Sequence, residues 1–373
     1  MINIIEKNKI FIIIKYFFIY LMLEALYLML VCNWINIIIF IIFLRLIRRL
    51  LFCGRFSSLK KSMRGKVIIV TGSSAGIGKE TALQLIEDGA QVVFACRNKE
   101  KTMQVINSIV DENRHRAHFL ELNLSSFKSV DKFVENFNSK FEKLDILINN
   151  AGAFPSKFVL TEDKIEDLMQ GNVLSQIVLT LKLLDKFNKK EGQIINLASF
   201  VHTVSDLTME TIKSYATDES FKNIDNQYYN NLVNKFIYYA NTKIGNIYFT
   251  NYLAEYLEKN YPNIKTSAVN PGVVYTEFHR IIYDIKYFNF VYSLFFYLHI
   301  YVSKSAISGA QQTLDLCYQE FSQIPNGAYF SNCRRREVSA KAMDKKIRDA
   351  FVRYCFDMIK QNPEYKSLEI KLN

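Results

Sequence analysis

Thr71-Gly72-Ser73-Ser74-Ala75-Gly76-Ile77-Gly78 decides the reading of this chain. It follows a β-branched apolar run, Val67-Ile68-Ile69-Val70, and leads into a helical pattern that starts near Lys79. A strand that passes through a glycine-rich turn into a helix brings free backbone N–H groups and the positive end of the helix to one point. That point suits a pyrophosphate. Gly72 permits the tight turn, Gly76 the close approach of phosphate, and Gly78 the packing of helix on strand. Ser73, Ser74 and Ile77 belong to the same turn. A triphosphate-binding loop of the P-loop kind is excluded, because Gly78-Lys79 is followed by Glu80 where a magnesium-binding Ser or Thr is required.

Working outward, short apolar runs alternate with amphipathic helical stretches from Gly65 onward. The pattern predicts strands at Val67–Val70, Gln91–Cys96, Ala117–Leu122, Ile146–Ile148, Gln193–Leu197 and Lys265–Val269. Helical patterns fall between them, as at Gly78–Asp88 and Ser126–Lys140. Strand and helix in alternation predict an α/β fold, a Rossmann-type doubly wound parallel sheet. There is no internal repeat and no proline-rich linker.

Residues 10–52 are strongly apolar and precede this domain. The span Ala25–Leu44 has about 20 residues without a charge, enough to cross a bilayer as a helix. Arg45, Arg48, Arg49, Arg55, Lys60, Lys61 and Arg64 follow it, and such a basic flank favours the cytoplasmic side. The reading is an N-terminal membrane-anchoring helical segment, as one span or as a two-segment hairpin. A cleaved signal peptide lacks its small-residue cleavage pattern. A soluble core helix lacks a polar face. A second apolar stretch, Tyr287–Val302, reads as an interfacial or substrate-covering segment or as plain core.

The chain has 373 residues, half of them hydrophobic, and a formal charge of +11. Its basic residues are spread out, with the densest cluster beside the apolar segment, so a membrane surface is the expected partner and nucleic acid is not. Six scattered cysteines without a CxxC pair argue against a disulfide framework. Five dispersed histidines show no metal-ligand spacing, so no metal is expected.

Further motifs follow in order. Arg97, after the second strand, stands where a carboxylate would accept from the ribose 2′-OH of NAD; a guanidinium there pairs with a 2′-phosphate and favours NADP(H). Asn123 follows the third strand and Asn149-Asn150-Ala151-Gly152 the fourth. Asn172 lies in Gly171-Asn172-Val173, Ser199 ends Asn196-Leu197-Ala198-Ser199, and Tyr239-Ala240-Asn241-Thr242-Lys243 puts a tyrosine and a lysine one helical turn apart. Asn270-Pro271-Gly272-Val273-Val274-Tyr275-Thr276 follows the sixth strand. A lysine on the same helical face favours the phenolate and lowers the tyrosine pKa. With 22 tyrosines in the chain, the Tyr-to-Lys spacing alone means little; the ordered set means much.

This ordered set resembles the short-chain dehydrogenase/reductase family, in its retinol-dehydrogenase-like branch, over roughly residues 65–340. The resemblance implies an NADP(H)-dependent enzyme acting on CH–OH groups. Tyr239 is then the general acid in carbonyl reduction and the base in alcohol oxidation. Lys243 also binds the nicotinamide ribose, Ser199 the substrate oxygen, and Asn172 orders a water beside the lysine. Gly72, Ser73, Ser74, Gly76, Ile77, Gly78, Arg97, Asn123, Asn150, Ala151, Gly152, Pro271, Gly272, Val274 and Thr276 complete the expected cofactor contacts. Asn123 stands where the family usually has Asp against the adenine, and Ala198 replaces a frequent Ser. The gap from Ser199 to Tyr239 is long, its surplus lying around Ser214–Asn234.

The implied organisation is an anchor with basic flank at 1–62, an NADP-binding domain at 63–345, and a C-terminal helical tail at 346–373 that reads as a solvated helix. The implied substrate is a lipophilic alcohol or carbonyl (retinoid, polyprenoid, steroid or fatty aldehyde). The expected place is the cytosolic face of the endoplasmic reticulum or a lipid droplet, as a possible homodimer. A non-catalytic NADP(H)-binding membrane scaffold and a steroid dehydrogenase of the same fold are the alternatives.

Overall fold

The computed structural model describes residues 54–154, 159–216, 232–274 and 303–366, with scattered positions between 20 and 46. The chain divides into two compact units, Met1–Cys53 and Gly54–Asn373. In the first, every described residue from 20 to 46 is helical. Its large apolar side chains are exposed, Trp34, Ile38 and Phe40 among them. Among the described residues no helix is long and apolar enough to cross a membrane.

The second unit is built on eight strands: β1 Val67–Thr71, β2 Gln91–Cys96, β3 Ala117–Glu121, β4 Ile146–Asn149, β5 Gly192–Leu197, β6 Ile264–Asn270, β7 Ala328–Ser331 and β8 Arg335–Arg336. They form one sheet in the order β3-β2-β1-β4-β5-β6-β7-β8. Every pairing is parallel except β7 with β8. The six predicted strands lie within one residue of the observed ones at each end. β7 and β8 are additions that the pattern did not predict.

Alternation along each strand sends side chains to two cores. Ile69, Val93, Leu147 and Ile194 face one side. Ile68, Val70, Val92, Phe94, Ile146, Ile148 and Ile195 face the other. Helices α1 Gly76–Glu87, α2 Lys99–Asn107 and α7 Ala306–Tyr318 cover the second face. Helices α3 Phe127–Lys140, α4 Ser175–Leu183 and α6 Leu232–Asn260 cover the first. A short α5, Met209–Ala216, precedes α6.

The tail helix α8, Lys345–Lys360, differs from the solvated helix expected. Phe351, Val352, Tyr354, Cys355, Phe356 and Ile359 are buried in the first core. Helical spacing gathers them on one face, and the charges that suggested solvation lie mostly on the other.

Strand order reverses between β1 and β4. In an open α/β sheet, ligands bind in the crevice at the carboxyl ends of the strands flanking such a reversal. The glycine turn leaves β1 there, and Asn150-Ala151-Gly152 leaves β4 beside it.

Candidate active site

The glycine turn is shaped by backbone contacts that leave no room for side chains. Gly72 has φ +67° and Gly76 φ +57°, the left-handed region that suits glycine. A Cβ on Gly72 would lie 2.9 Å from Ala151 Cα, and one on Gly78 would lie 2.7 Å from the Gly72 carbonyl oxygen. Asn150 Nδ2 donates to the Thr71 carbonyl at 2.8 Å, while Thr71 Oγ1 accepts from the Asn150 and Ala151 N–H groups. Ser73 is buried and donates back to the Val70 carbonyl, whereas Ser74 and Ile77 are half-buried. Helix α1 starts without a side-chain cap and has no acid in its first turn. Helices α2, α3, α7 and α8 are each capped by a side chain. The open N–H groups of α1 therefore face the crevice as an anion cradle.

At the ends of β2 and β3, a hollow of about 500 Å³ is lined by Arg97, Glu121, Asn123, Ser125, Thr161 and Asp167 among others. Arg97 is exposed. Asn123 Oδ1 accepts from the Ser125 N–H, so its carbonyl acceptor is already engaged. Another hollow of about 450 Å³, at Glu258, Pro262, Lys265 and Ser322, lies beside the opposite end of β6 and holds none of the predicted residues.

Lys243, Tyr239, Asn172 and Ser199, the expected proton-handling residues, lie near the ends of β4 and β5. Lys243 is buried and its Nζ donates to the Leu197 carbonyl at 3.1 Å. Asn246 donates to that same oxygen, also at 3.1 Å. A Cβ on Gly152 would stand 3.1 Å from Lys243 Nζ and 3.7 Å from Asn172 Oδ1. Lys243 Nζ lies 5.5 Å from the ring centroid of Tyr239, one turn back on α6. Tyr239 packs on Phe154, with ring centroids 5.5 Å apart. Tyr238 points elsewhere, its hydroxyl donating to the buried Glu166 at 2.9 Å.

Asn172 sits in a π-helical turn, Gln170–Leu174, that leads into α4. Such a bulge re-aims a side chain, and bulges of this type gather at functional sites. Asn172 Oδ1 accepts from the Ala153 N–H at 2.8 Å, and its Nδ2 donates to the Ala153 carbonyl and to Thr242 Oγ1. It thus fastens the strand-end loop to α6 through direct bonds.

Burial sets the titration here. It raises the Tyr239 phenol well above its ordinary value and lowers the Lys243 ammonium to about 8. This differs from the expected lowering of the tyrosine pKa by its lysine. Desolvation penalises both charged forms, and it outweighs an ammonium that is turned toward the Leu197 carbonyl.

Ser199 follows β5 and is half-buried. Its Oγ accepts from the Val201 N–H at 3.4 Å, which leaves its own O–H to donate. Beyond β6, Pro271 and Val274 are buried, and Gly272 has φ +86° with its N–H bonded to Asn270 Oδ1. A Cβ on Gly309 of α7 would meet both Val274 and Ile77, so this segment packs against the glycine turn. Thr276, the stretch 287–302 and residues 217–231 of the long insertion lie outside the described residues. Among the described residues no cluster of His, Cys, Asp or Glu is placed to hold a metal, and Cys96, Cys317, Cys333 and Cys355 are free thiols.

The structure adds supporting residues outside the expected site set. Asn149 Nδ2 donates to Thr180 Oγ1 and to Asn196 Oδ1, and Asn196 Nδ2 donates to Thr250 and Thr266. Gln176 holds the Ala151 carbonyl at 2.7 Å. Asn149 and Asn196 were visible as polar residues inside apolar strands; Gln176 and Asn246 carried no local signal.

A family profile for short chain dehydrogenase matches residues 66–217. Retinol dehydrogenase 12 of Mus musculus is 32% identical over 303 residues, 80% of this chain and 87% of the relative. A short chain dehydrogenase from Burkholderia cenocepacia solved in complex with NADP shares the fold with a TM-score of 0.52 at 24% identity, over 73% of this chain and 97% of that one. A 3-ketoacyl-(acyl-carrier-protein) reductase from Brucella melitensis complexed with NADH matches with a TM-score of 0.51 at 24% identity, over 72% and 97%. The chain belongs to the short-chain dehydrogenase/reductase family of oxidoreductases, in its retinol-dehydrogenase-like branch.

Proposed function

We propose that this protein is a membrane-anchored oxidoreductase that uses NADP(H) to interconvert a lipophilic alcohol and its carbonyl. The observation that carries the reading is the placing of Lys243, with Tyr239 one turn back, against Leu197, Gly152 and Asn172 at the same sheet edge as the uncapped glycine turn. The residues fit a dinucleotide: the α1 N–H groups for the pyrophosphate, Arg97 for a 2′-phosphate, Asn123 beside the adenine, and Lys243 with Tyr239 for the nicotinamide ribose. Ala151, Gly152, Pro271, Gly272 and Val274 form the walls. The two structural neighbours carry NADP in one case and NADH in the other, so the choice rests on Arg97.

When bound, a nicotinamide supplies hydride in one direction and accepts it in the other. Tyr239, kept protonated by burial, gives its proton to the substrate oxygen during reduction. Ser199 donates a hydrogen bond to that oxygen and stabilises its developing charge. The Lys243 ammonium then stabilises the phenolate left on Tyr239. In oxidation the same groups act in reverse.

The mouth of the site supports a lipophilic substrate. Phe154 stands beside Tyr239 and Phe236 beside Phe154, and Phe200, Val204, Val233 and Phe236 are exposed apolar side chains on the flanking elements. The exposed apolar helix of the first unit supports the anchor, and its basic flank supports a cytosol-facing domain on the endoplasmic reticulum or a lipid droplet.

The test follows NADPH and NADH oxidation by detergent-solubilised protein with retinal, a polyprenal, a steroid ketone and a fatty aldehyde. Turnover with NADPH that vanishes in Tyr239→Phe is the expected result. Cofactor binding without turnover of any carbonyl would favour a non-catalytic scaffold. Absence of NADPH binding would remove the assignment built on Arg97 and the glycine turn.

A further inference from the structure

We propose that His202 is a positioning residue for Ser199, holding the serine backbone so that its hydroxyl is presented in one direction. The inference rests on the catalytic reading of Ser199 above.

His202 is buried one turn beyond Ser199, in a 3₁₀ turn that runs Phe200–Val204. Its ring is held at both nitrogens. The Ser339 N–H donates to Nε2 at 3.3 Å, so that nitrogen carries no proton. A neutral imidazole has one N–H, which must then sit on Nδ1. There it donates to the Ser199 carbonyl at 2.7 Å. The His202 backbone N–H reaches the same oxygen at 3.2 Å. Both lone pairs of the Ser199 carbonyl are thereby engaged, one by a backbone and one by a side chain. Burial favours the neutral ring that this pattern requires.

The support behind His202 is rigid. Its ring packs edge-on against Tyr329 of β7, with centroids 5.4 Å apart. Ser339 caps the next helical turn through Ala342, Lys341 Nζ donates to the Ser205 carbonyl, and the Lys341 carbonyl accepts from Tyr248 on α6 at 2.9 Å. The segment before α8 is thus tied to the Ser199 turn on one side and to the Tyr239 helix on the other. Small displacements of a group that must meet a reacting atom lower rate steeply. His202 therefore links the C-terminal segment to the orientation of the catalytic serine.

The two ring nitrogens are separable by substitution. The Asn amide nitrogen superposes on Nδ1 and keeps the bond to the Ser199 carbonyl. The Gln amide reaches the Nε2 position and keeps the bond to Ser339 instead. The experiment compares full-length wild type, H202N and H202Q in detergent, with NADPH and a carbonyl that the wild type reduces. Rates are divided by the fraction of protein that binds NADPH, which removes any loss of folded protein. We expect kcat of H202Q to fall at least about tenfold with KM for NADPH unchanged, and H202N to rescue most of that loss. Equal rates in both variants, or equal losses, overturn the positioning role while leaving the enzyme reading intact. A wild type that binds NADPH but reduces none of the carbonyls overturns both.

Discussion

The two halves of this site are held by different kinds of contact. The anion cradle after β1 is made of backbone: glycines in left-handed conformations, open N–H groups, and Asn150 fastened to the Thr71 carbonyl. The half after β4 and β5, proposed to handle the proton, is made of side chains, with Lys243, Asn246, Asn172 and His202 all bonded to main-chain carbonyls of their neighbours. A backbone cradle tolerates many substitutions but very few at its glycines. A side-chain assembly moves whenever one buried partner is lost, because each orphaned polar group carries its own desolvation cost. The first half is therefore fixed locally, and the second depends on most of the domain.

The largest effect expected in either half comes from Tyr239→Phe, which deletes the proton and keeps the ring. Turnover should fall by roughly 10²–10⁴ with NADPH binding retained; an active variant would remove Tyr239 from the chemistry. In the cradle, Gly72→Val meets both a left-handed φ and the Ala151 backbone at 2.9 Å. Strain and overpacking together should cost about 2–5 kcal/mol, and thermal unfolding of the variant measures it. An unchanged melting point would mean that the turn is less constrained than its contacts imply.

Arg97→Glu sharpens the contrast, since the residue proposed to meet the 2′-phosphate is an exposed side chain rather than backbone. KM for NADPH should rise roughly 10–100-fold while that for NADH improves; parallel changes would count against a 2′-phosphate contact. Asn196→Leu leaves Thr250 and Thr266 without their donor. Stability by denaturant titration should drop about 1–3 kcal/mol, with KM for NADPH little altered.

The smallest effect is one of pH. Lys243 titrates near 8, below its ordinary value, so it is charged below that pH and neutral above it. Tyr239 is shifted upward and stays protonated throughout this range. Reductive kcat should be full near pH 6.5 and about half at pH 8. A profile that is flat to pH 9 would show that the lysine charge is not used.

How much of this was legible in the chain follows the same division. The β-branched runs and the glycine turn state their structure locally, which is why six strands emerge within one residue of their observed ends. β7, only Ala328–Ser331, is too short and too plain to announce itself, and it becomes a strand because β6 is there to pair with. The π-helical turn under Asn172 has no signature in Gln170–Leu174, and the bonds that Asn172 makes there run to the β4 loop and to α6, which are distant in sequence. The buried face of α8 was readable from the spacing of Phe351, Cys355 and Ile359, but the surrounding charges obscured it. The titration of Tyr239 differs from the expected lowering for a related reason: spacing along a helix shows who neighbours whom, and burial is a property of the whole fold.

Thr180, Asn149, Asn196, Thr250 and Thr266 form a polar chain that runs from α4 through the centre of the sheet to α6 and β6. In evolutionary terms, these five positions constrain one another, because each bond has a partner that a single apolar exchange would leave unsatisfied. A lineage that turns Asn149 apolar strands the acceptor of Asn196 and the hydroxyl of Thr180, and one that alters Asn196 strands the remainder. A single apolar exchange in the set therefore costs stability, whereas a joint exchange of bonded partners need not, and that constraint is independent of the reaction.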